Sequence, residues 1–131
     1  MSGIDFLADT NAVLYFLSGN ECMKPYISCK YAVSIISEME LLSYPKITEE
    51  EEKNVNRFLV GSTLLSITNE VKKKTIELRK KYNIKLPDAI IAATAMENDL
   101  TLITADKGFE KVEELKLTLI VPEINAESDK Q

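Results

Sequence analysis

The chain contains no histidine, the side chain that most often serves as a general base near neutral pH. Any mechanism that needs an imidazole is therefore excluded. Cysteine is scarce, with Cys22 and Cys29 the only two. Without histidine or further cysteine they make a poor zinc site, since structural zinc takes four nitrogen or sulfur ligands. They read as small, buried or half-buried residues of a reducing compartment. No apolar run approaches the ~20 residues of a membrane span. The N-terminus, Met1-Ser2-Gly3-Ile4-Asp5, lacks a basic n-region and meets an acidic residue at once, so no signal peptide is read there. These absences point to a cytoplasmic protein with no membrane partner. Internal repeats are missing as well, and residues 49–52 form the one low-complexity stretch.

What is present fits a single globular domain. A length of 131 residues can bury a core without disulfides. Residues 1–122 are read as that domain and 123–131 as a polar, flexible tail. The net charge of −5 argues against a protein that coats nucleic acid by bulk electrostatics. It does not exclude one that cuts nucleic acid, because bound divalent ions reverse the local sign. Basic residues cluster at Lys72, Lys73, Lys74, Arg79, Lys80, Lys81 and Lys85. Each taken singly reads as part of a solvated helix face. As a group they are also able to meet a phosphate backbone.

Apolar runs and turn signals alternate. Strands are predicted over 4–8, 31–36, 63–67, 100–104 and 116–121. Helices are predicted over 11–18, from Ser37 to before Pro45, from Thr48 to about 59, over 70–82 with Asn69 as cap, over 87–98 with Pro87 at N1, and around 108–114. Residues 20–30 read as irregular or as a short helix broken by Pro25. Strands alternating with helices imply a single-domain three-layer α/β/α sandwich with a mostly parallel sheet of about five strands. In such a fold strand C-termini and helix N-termini share one edge, where ligands bind.

Four acidic residues fall at that edge: Asp9, Glu40, Asp88 and Asp106. Carboxylate oxygens suit hard cations such as Mg2+ and Mn2+. Each residue also has a plain structural role. Asp9, in Leu7-Ala8-Asp9-Thr10-Asn11, suits a helix N-cap. Thr10 is positioned to hold that turn through its hydroxyl, and Asn11 to orient Asp9 or hold a water. Glu40 with Ser37 reads as a capping box. Glu38 is its rival, and residues two apart on a helix do not share a face. Asp88 complements the dipole of its helix, whose alanines allow close packing on the sheet. Asp106 sits in an ordinary Asp-x-Gly turn. Thr104 is placed to donate to a neighbouring carboxylate. Jointly, four converging carboxylates would raise one another's pKa unless a cation offset them.

These pieces resemble PIN-domain ribonucleases, and among them the VapC-like toxins of type II toxin–antitoxin pairs. The resemblance rests on Ala8-Asp9-Thr10-Asn11, Ser34-Ile35-Ile36-Ser37-Glu38-Met39-Glu40-Leu41, Pro87-Asp88-Ala89-Ile90-Ile91-Ala92-Ala93-Thr94-Ala95, and Leu102-Ile103-Thr104-Ala105-Asp106-Lys107-Gly108-Phe109. They occur in the family's order and cover nearly the whole chain. The resemblance implies that Asp9, Glu40, Asp88 and Asp106 are both catalytic and metal-binding, with Mg2+ or Mn2+ as cofactor. It places Ser37 beside Glu40, and Asn11 and Thr104 on supporting positions. The implied reaction is hydrolysis of an RNA phosphodiester, with Lys85 and Lys107 as candidate RNA contacts. A VapB-like antitoxin and a homodimer are the implied protein partners. Two other readings compete. One is a receiver-type signalling domain, which would need two adjacent acidic residues after the first strand. The other is a PIN-like module that binds without cleaving.

Overall fold

Strands and helices alternate along the chain in the order the apolar pattern predicts. A computed structural model describes residues 3–124. The strands are β1 (Phe6–Ala8), β2 (Tyr31–Ser34), β3 (Thr63–Leu65), β4 (Thr101–Thr104) and β5 (Leu117–Leu119). The α-helices are α1 (Thr10–Leu17), α2 (Ile35–Ser43), α3 (Glu49–Val60), α4 (Asn69–Lys81) and α5 (Leu86–Glu97). Two 3-10 turns, Glu21–Tyr26 and Lys107–Lys111, lie between α1 and β2 and between β4 and β5. The tail expected over 123–131 falls, from residue 125 on, outside the described residues.

The five strands form one sheet in the order β3-β2-β1-β4-β5, with every neighbouring pair parallel. Successive strand residues point to opposite faces, and the core divides accordingly. Leu7, Ala32 and Leu102 join a cluster with Val71 and Leu78 of α4 and Ala89, Ala92 and Ala93 of α5. Their neighbours Ala8, Val33 and Ile103 join a second cluster with Ala12 and Val13 of α1 and Val55 and Leu59 of α3. The result is three layers, with α4 and α5 on one face and α1 and α3 on the other. The alanines of α5 are fully buried, so this helix lies close on the sheet.

The order of strands decides between two doubly wound folds. Receiver domains follow the flavodoxin-like order 2-1-3-4-5. Here the chain winds outward from β1 through β2 to β3, then returns to start again at β4 beside β1. The switch point lies between β1 and β4, and the receiver reading is set aside.

Several boundaries differ from the sequence reading for local reasons. The expected strand over 31–36 stops at Ser34, whose hydroxyl accepts from the Ile36 N–H at 3.2 Å and caps α2. Ile35 and Ile36 are thereby drawn into the first helical turn despite their β-branched side chains. Ser37 lies inside the helix, so the expected capping box between Ser37 and Glu40 does not form. Thr68, not Asn69, caps α4 by accepting from Val71 N–H at 3.1 Å. Lys85 occupies the N-cap of α5, which puts Pro87 second in the helix and not first. The helix expected around 108–114 is the short 3-10 turn. The capping box of α3 forms as expected: Thr48 Oγ1 accepts from Glu51 N–H at 3.1 Å, and Glu51 Oε1 accepts from Thr48 N–H at 2.9 Å. Gly19, at φ 73°, turns the chain away from the end of α1, as a glycine stop should.

Candidate active site

Asp9 follows β1 directly. Its backbone N–H donates to the Ile103 carbonyl at 3.1 Å, prolonging the ladder to β4 by one step. The residue then leaves the strand as the N-cap of α1, with Oδ1 accepting from Thr10 N–H at 2.8 Å. The structural role foreseen for Asp9 is therefore real, and it uses only one carboxylate oxygen. Oδ2 accepts from Thr104 Oγ1 at 2.7 Å and from Asn11 Nδ2 at 3.3 Å. Only 6% of Asp9 is exposed. Burial pushes its carboxyl up to about 6, against the pull of the Thr104 and Thr10 hydrogen bonds, and the charges of Asp88 and Glu40 push it the same way.

The neighbours of Asp9 tie β1 to β4 across the switch point. Asn11 Oδ1 accepts from Ala105 N–H at 3.0 Å while its Nδ2 faces Asp9. Thr104 is fully buried, and its Oγ1 accepts from Asp106 N–H at 3.0 Å while donating to Asp9. A relay thus runs from the Asp106 backbone through Thr104 to the Asp9 carboxylate, each bond polarising the next. Asp106 opens the 3-10 turn, and its Oδ1 accepts from Gly108 N–H at 2.8 Å. A Cβ at position 108 would stand 3.0 Å from that oxygen, tighter than side chains usually tolerate. Glycine gives the carboxylate its room.

Asp88 lies in the first turn of α5, half-buried. Burial raises its pKa, as do Asp106 and Glu40, while Lys85 and Lys111 lower it. Glu40 is exposed on α2, and its Oε1 accepts from Thr10 Oγ1 at 2.6 Å. The Thr10 hydroxyl therefore holds Glu40 and does not serve the turn at Asp9 as expected. Of the two rival glutamates, Glu40 takes this bond and acts on both Asp9 and Asp88. Ser37 sits one helical turn before it, fully buried, and its hydroxyl has no hydrogen-bond partner among the described residues. A buried orphan of this kind asks for an explanation.

At this edge of the sheet the charges of Asp88 and Glu40 thus reach Asp9, and those of Asp106 and Glu40 reach Asp88. Lys85 and Lys111 adjoin Asp88, and sequence alone offers no reason to single out Lys111. Its only signal there is its place in the turn that Asp106 and Gly108 begin. Among the described residues no ion pair involves any of the four carboxylates. Among those residues, too, no three acidic or cysteine side chains stand close enough, as positioned, to share one ion. By type and charge the donors fit a hard divalent cation: all are carboxylate oxygens, and the two lysines that act on Asp88 form no ion pair with them.

A family model for the PIN domain matches residues 6–115. Over 84 residues, 64% of the chain, the sequence is 34% identical to the 27 kDa core protein of canarypox virus. The chain spans 26% of that relative's length. Among solved structures, a chain of a toxin–antitoxin complex from Klebsiella pneumoniae is 30% identical. The match covers 87% of this chain and 96% of that one, with a TM-score of 0.75. A chain of VapBC2 from Rickettsia felis, bound to a promoter DNA fragment, matches with a TM-score of 0.79 at 20% identity, over 90% of this chain and all of that one. A chain of DNA-bound VapBC from Salmonella typhimurium gives 0.76 at 20% identity, over 88% and 97%. The last two likenesses are of fold. Among the described residues no helix is long and apolar enough to cross a membrane.

Proposed function

The chain belongs to the PIN domain family, and from that premise we propose that it is a divalent-metal-dependent endoribonuclease, hydrolysing RNA phosphodiester bonds with Mg2+ or Mn2+ as cofactor. The observation that carries this reading is Asp9, a buried carboxylate without a cationic partner, at the edge where Glu40, Asp88 and Asp106 also gather. Holding an ionisable acid out of water beside other acids destabilises the ion-free protein. A cation at that edge offsets the penalty. When bound, such an ion acidifies water near neutral pH and stabilises charge developing on phosphoryl oxygens.

The chain's own residues do the rest. Asp9, Glu40, Asp88 and Asp106 would hold the ion. Thr104 and Asn11 fix the Asp9 side chain through Oδ2, and Thr10 fixes Glu40. Asp9 and Asp106 follow strand ends, Asp88 lies in the first turn of α5 and Glu40 in the second turn of α2, so rigid elements carry all four and little ordering remains when substrate arrives.

We assign the nuclease to the toxin side of a cytoplasmic toxin–antitoxin pair, acting as a homodimer and restrained by a VapB-like antitoxin. The 30% identical chain from a toxin–antitoxin complex supports this role. An antitoxin that covers the acidic edge is expected to place a basic side chain, an arginine, among the carboxylates, since guanidinium pairs them bidentately. A complex with no cationic group near Asp9 or Asp88 counts against that.

The test is cleavage of an RNA substrate by wild type and Asp9→Asn, with Mg2+ or Mn2+ and with EDTA. Ion-dependent cleavage is expected from wild type, reduced at least about 100-fold in Asp9→Asn, as for loss of a group stabilising the transition state. Equal cleavage by both proteins overturns the site. RNA binding without any ion-dependent product would favour the binding module.

A further inference from the structure

Four carboxylates at one edge would repel the anionic substrate they are proposed to cleave, and the net charge of −5 gives no general attraction to RNA. The structure holds a local remedy. A cleft of about 320 Å3 opens beside the site, lined by Asp88 and Asp106 and also by Lys85, Lys111 and Asn83. The two lysines come from distant segments. Lys85 precedes α5, and Lys111 closes the 3-10 turn after β4. Lys111 Nζ donates to the Asn83 carbonyl at 2.8 Å, which anchors the ammonium at the cleft and spends one of its three donors. Lys85 breaks a local rule. Helices α1 to α4 begin with Asp9, Ser34, Thr48 and Thr68, each accepting a backbone N–H. Lys85 occupies the same position in α5 with no acceptor to offer and no capping bond, at the positive end of the helix dipole. Departures of this kind concentrate at functional sites. Both ammonium groups are near enough to Asp88 to act on its carboxyl.

We propose that Lys85 and Lys111 form a phosphate-holding subsite beside the acidic edge, seating a backbone phosphate of single-stranded RNA next to the one to be cleaved. This rests on the ribonuclease reading. Lys107, which the sequence suggests as an RNA contact, does not line the cleft.

The experiment measures binding of a short fluorescent single-stranded RNA to the full chain carrying Asp9→Asn, across a salt series. Added Lys85→Gln and Lys111→Gln should each weaken binding several-fold and flatten the plot of log affinity against log salt by about 0.7. Lys111→Arg should restore both. Lys72→Gln and Lys73→Gln, in the basic cluster of α4, serve as comparison. In the active chain, Lys85→Gln should raise KM and leave kcat. Melting temperature checks that Lys111→Gln has not loosened the Asn83 loop, and Lys85→Gln, which breaks no such bond, stands if it has. Absence of RNA binding overturns the subsite. So does an unchanged slope in both variants, or an equal loss on α4, where bulk charge would explain it. Wild type that fails to cleave while the lysine effects persist would sink the nuclease reading and leave the subsite standing.

Discussion

An aspartate in water ionises near 3.8, whereas Asp9 is pushed up to about 6 by burial. Between those values the folded protein keeps a proton that the unfolded chain has lost. Stability then falls as pH rises. The deficit grows to about 3 kcal/mol and is complete above the folded value. Without metal, the Asp9 contribution should make the protein more stable near pH 4 than near pH 7. Asp9→Asn removes that slope. It also leaves an amide facing the Thr104 and Asn11 donors, at a loss of about 1 kcal/mol. A net gain of about 1–2 kcal/mol at neutral pH is expected, read from urea unfolding in EDTA at several pH values. Parallel profiles for the two proteins would show that burial does not set this carboxyl. Ser37 makes the opposite case, a hydroxyl already desolvated with nothing to bind. Ser37→Ala should leave thermal stability unchanged or raise it by up to about 1 kcal/mol, and a clear loss would point to an unseen partner.

Elements divide the same way, into those that hold the fold and those that hold the site. None of the four site carboxylates takes part in the α3 capping box, so Thr48→Ala should cost about 1 kcal/mol in unfolding and leave cleavage alone. Thr104, at the end of β4, belongs to both classes. Thr104→Val keeps the shape but leaves Asp9 Oδ2 with Asn11 as its only donor and strands the Asp106 N–H, for a loss of about 1–3 kcal/mol. Cleavage should fall about 10–100-fold, as for other groups that orient a ligand. Comparing the two variants by melting and by turnover separates the roles, and a silent Thr104→Val would break the proposed relay. Sequence patterning made most elements legible, because their apolar runs and turn signals agree. It failed at α2, where Ile35 and Ile36 look like strand until Ser34 captures their backbone. It also failed at Thr10, whose hydroxyl reaches across to Glu40, a contact no local pattern encodes. Asp9, Asp88 and Asp106 stand at segment ends as the sequence suggests, whereas the early start of α2 at Ile35 puts Glu40 in its second turn and not its first. Lys111 was not legible, because its place beside Asp88 depends on how the turn after β4 meets the start of α5.

At the scale of the molecule, the site is a product of strand order. Thr104 and Asp9 are 95 positions apart, and they meet only because β4 returns to the side of β1 left open by β2 and β3. Alternating strands and helices announce a parallel sheet but not this order, which is set by where each crossover lands. The unfolded chain therefore has no such cluster, and an ion that needs it binds the native state alone. Binding of that kind adds stability by mass action, about 2.7 kcal/mol at one hundred times the dissociation constant. For a chain of this size that corresponds to roughly 5–10 °C in melting temperature. Mg2+ or Mn2+ should produce such a shift in wild type and little or none in Asp9→Asn. The ion should also flatten the pH dependence described above, because it takes over the neutralising role of the proton on Asp9. A thermal-shift titration at neutral and mildly acidic pH tests both statements together. If the ions leave melting unchanged while cleavage proceeds, the metal reaches the site only with the RNA, and the folded edge alone does not define it.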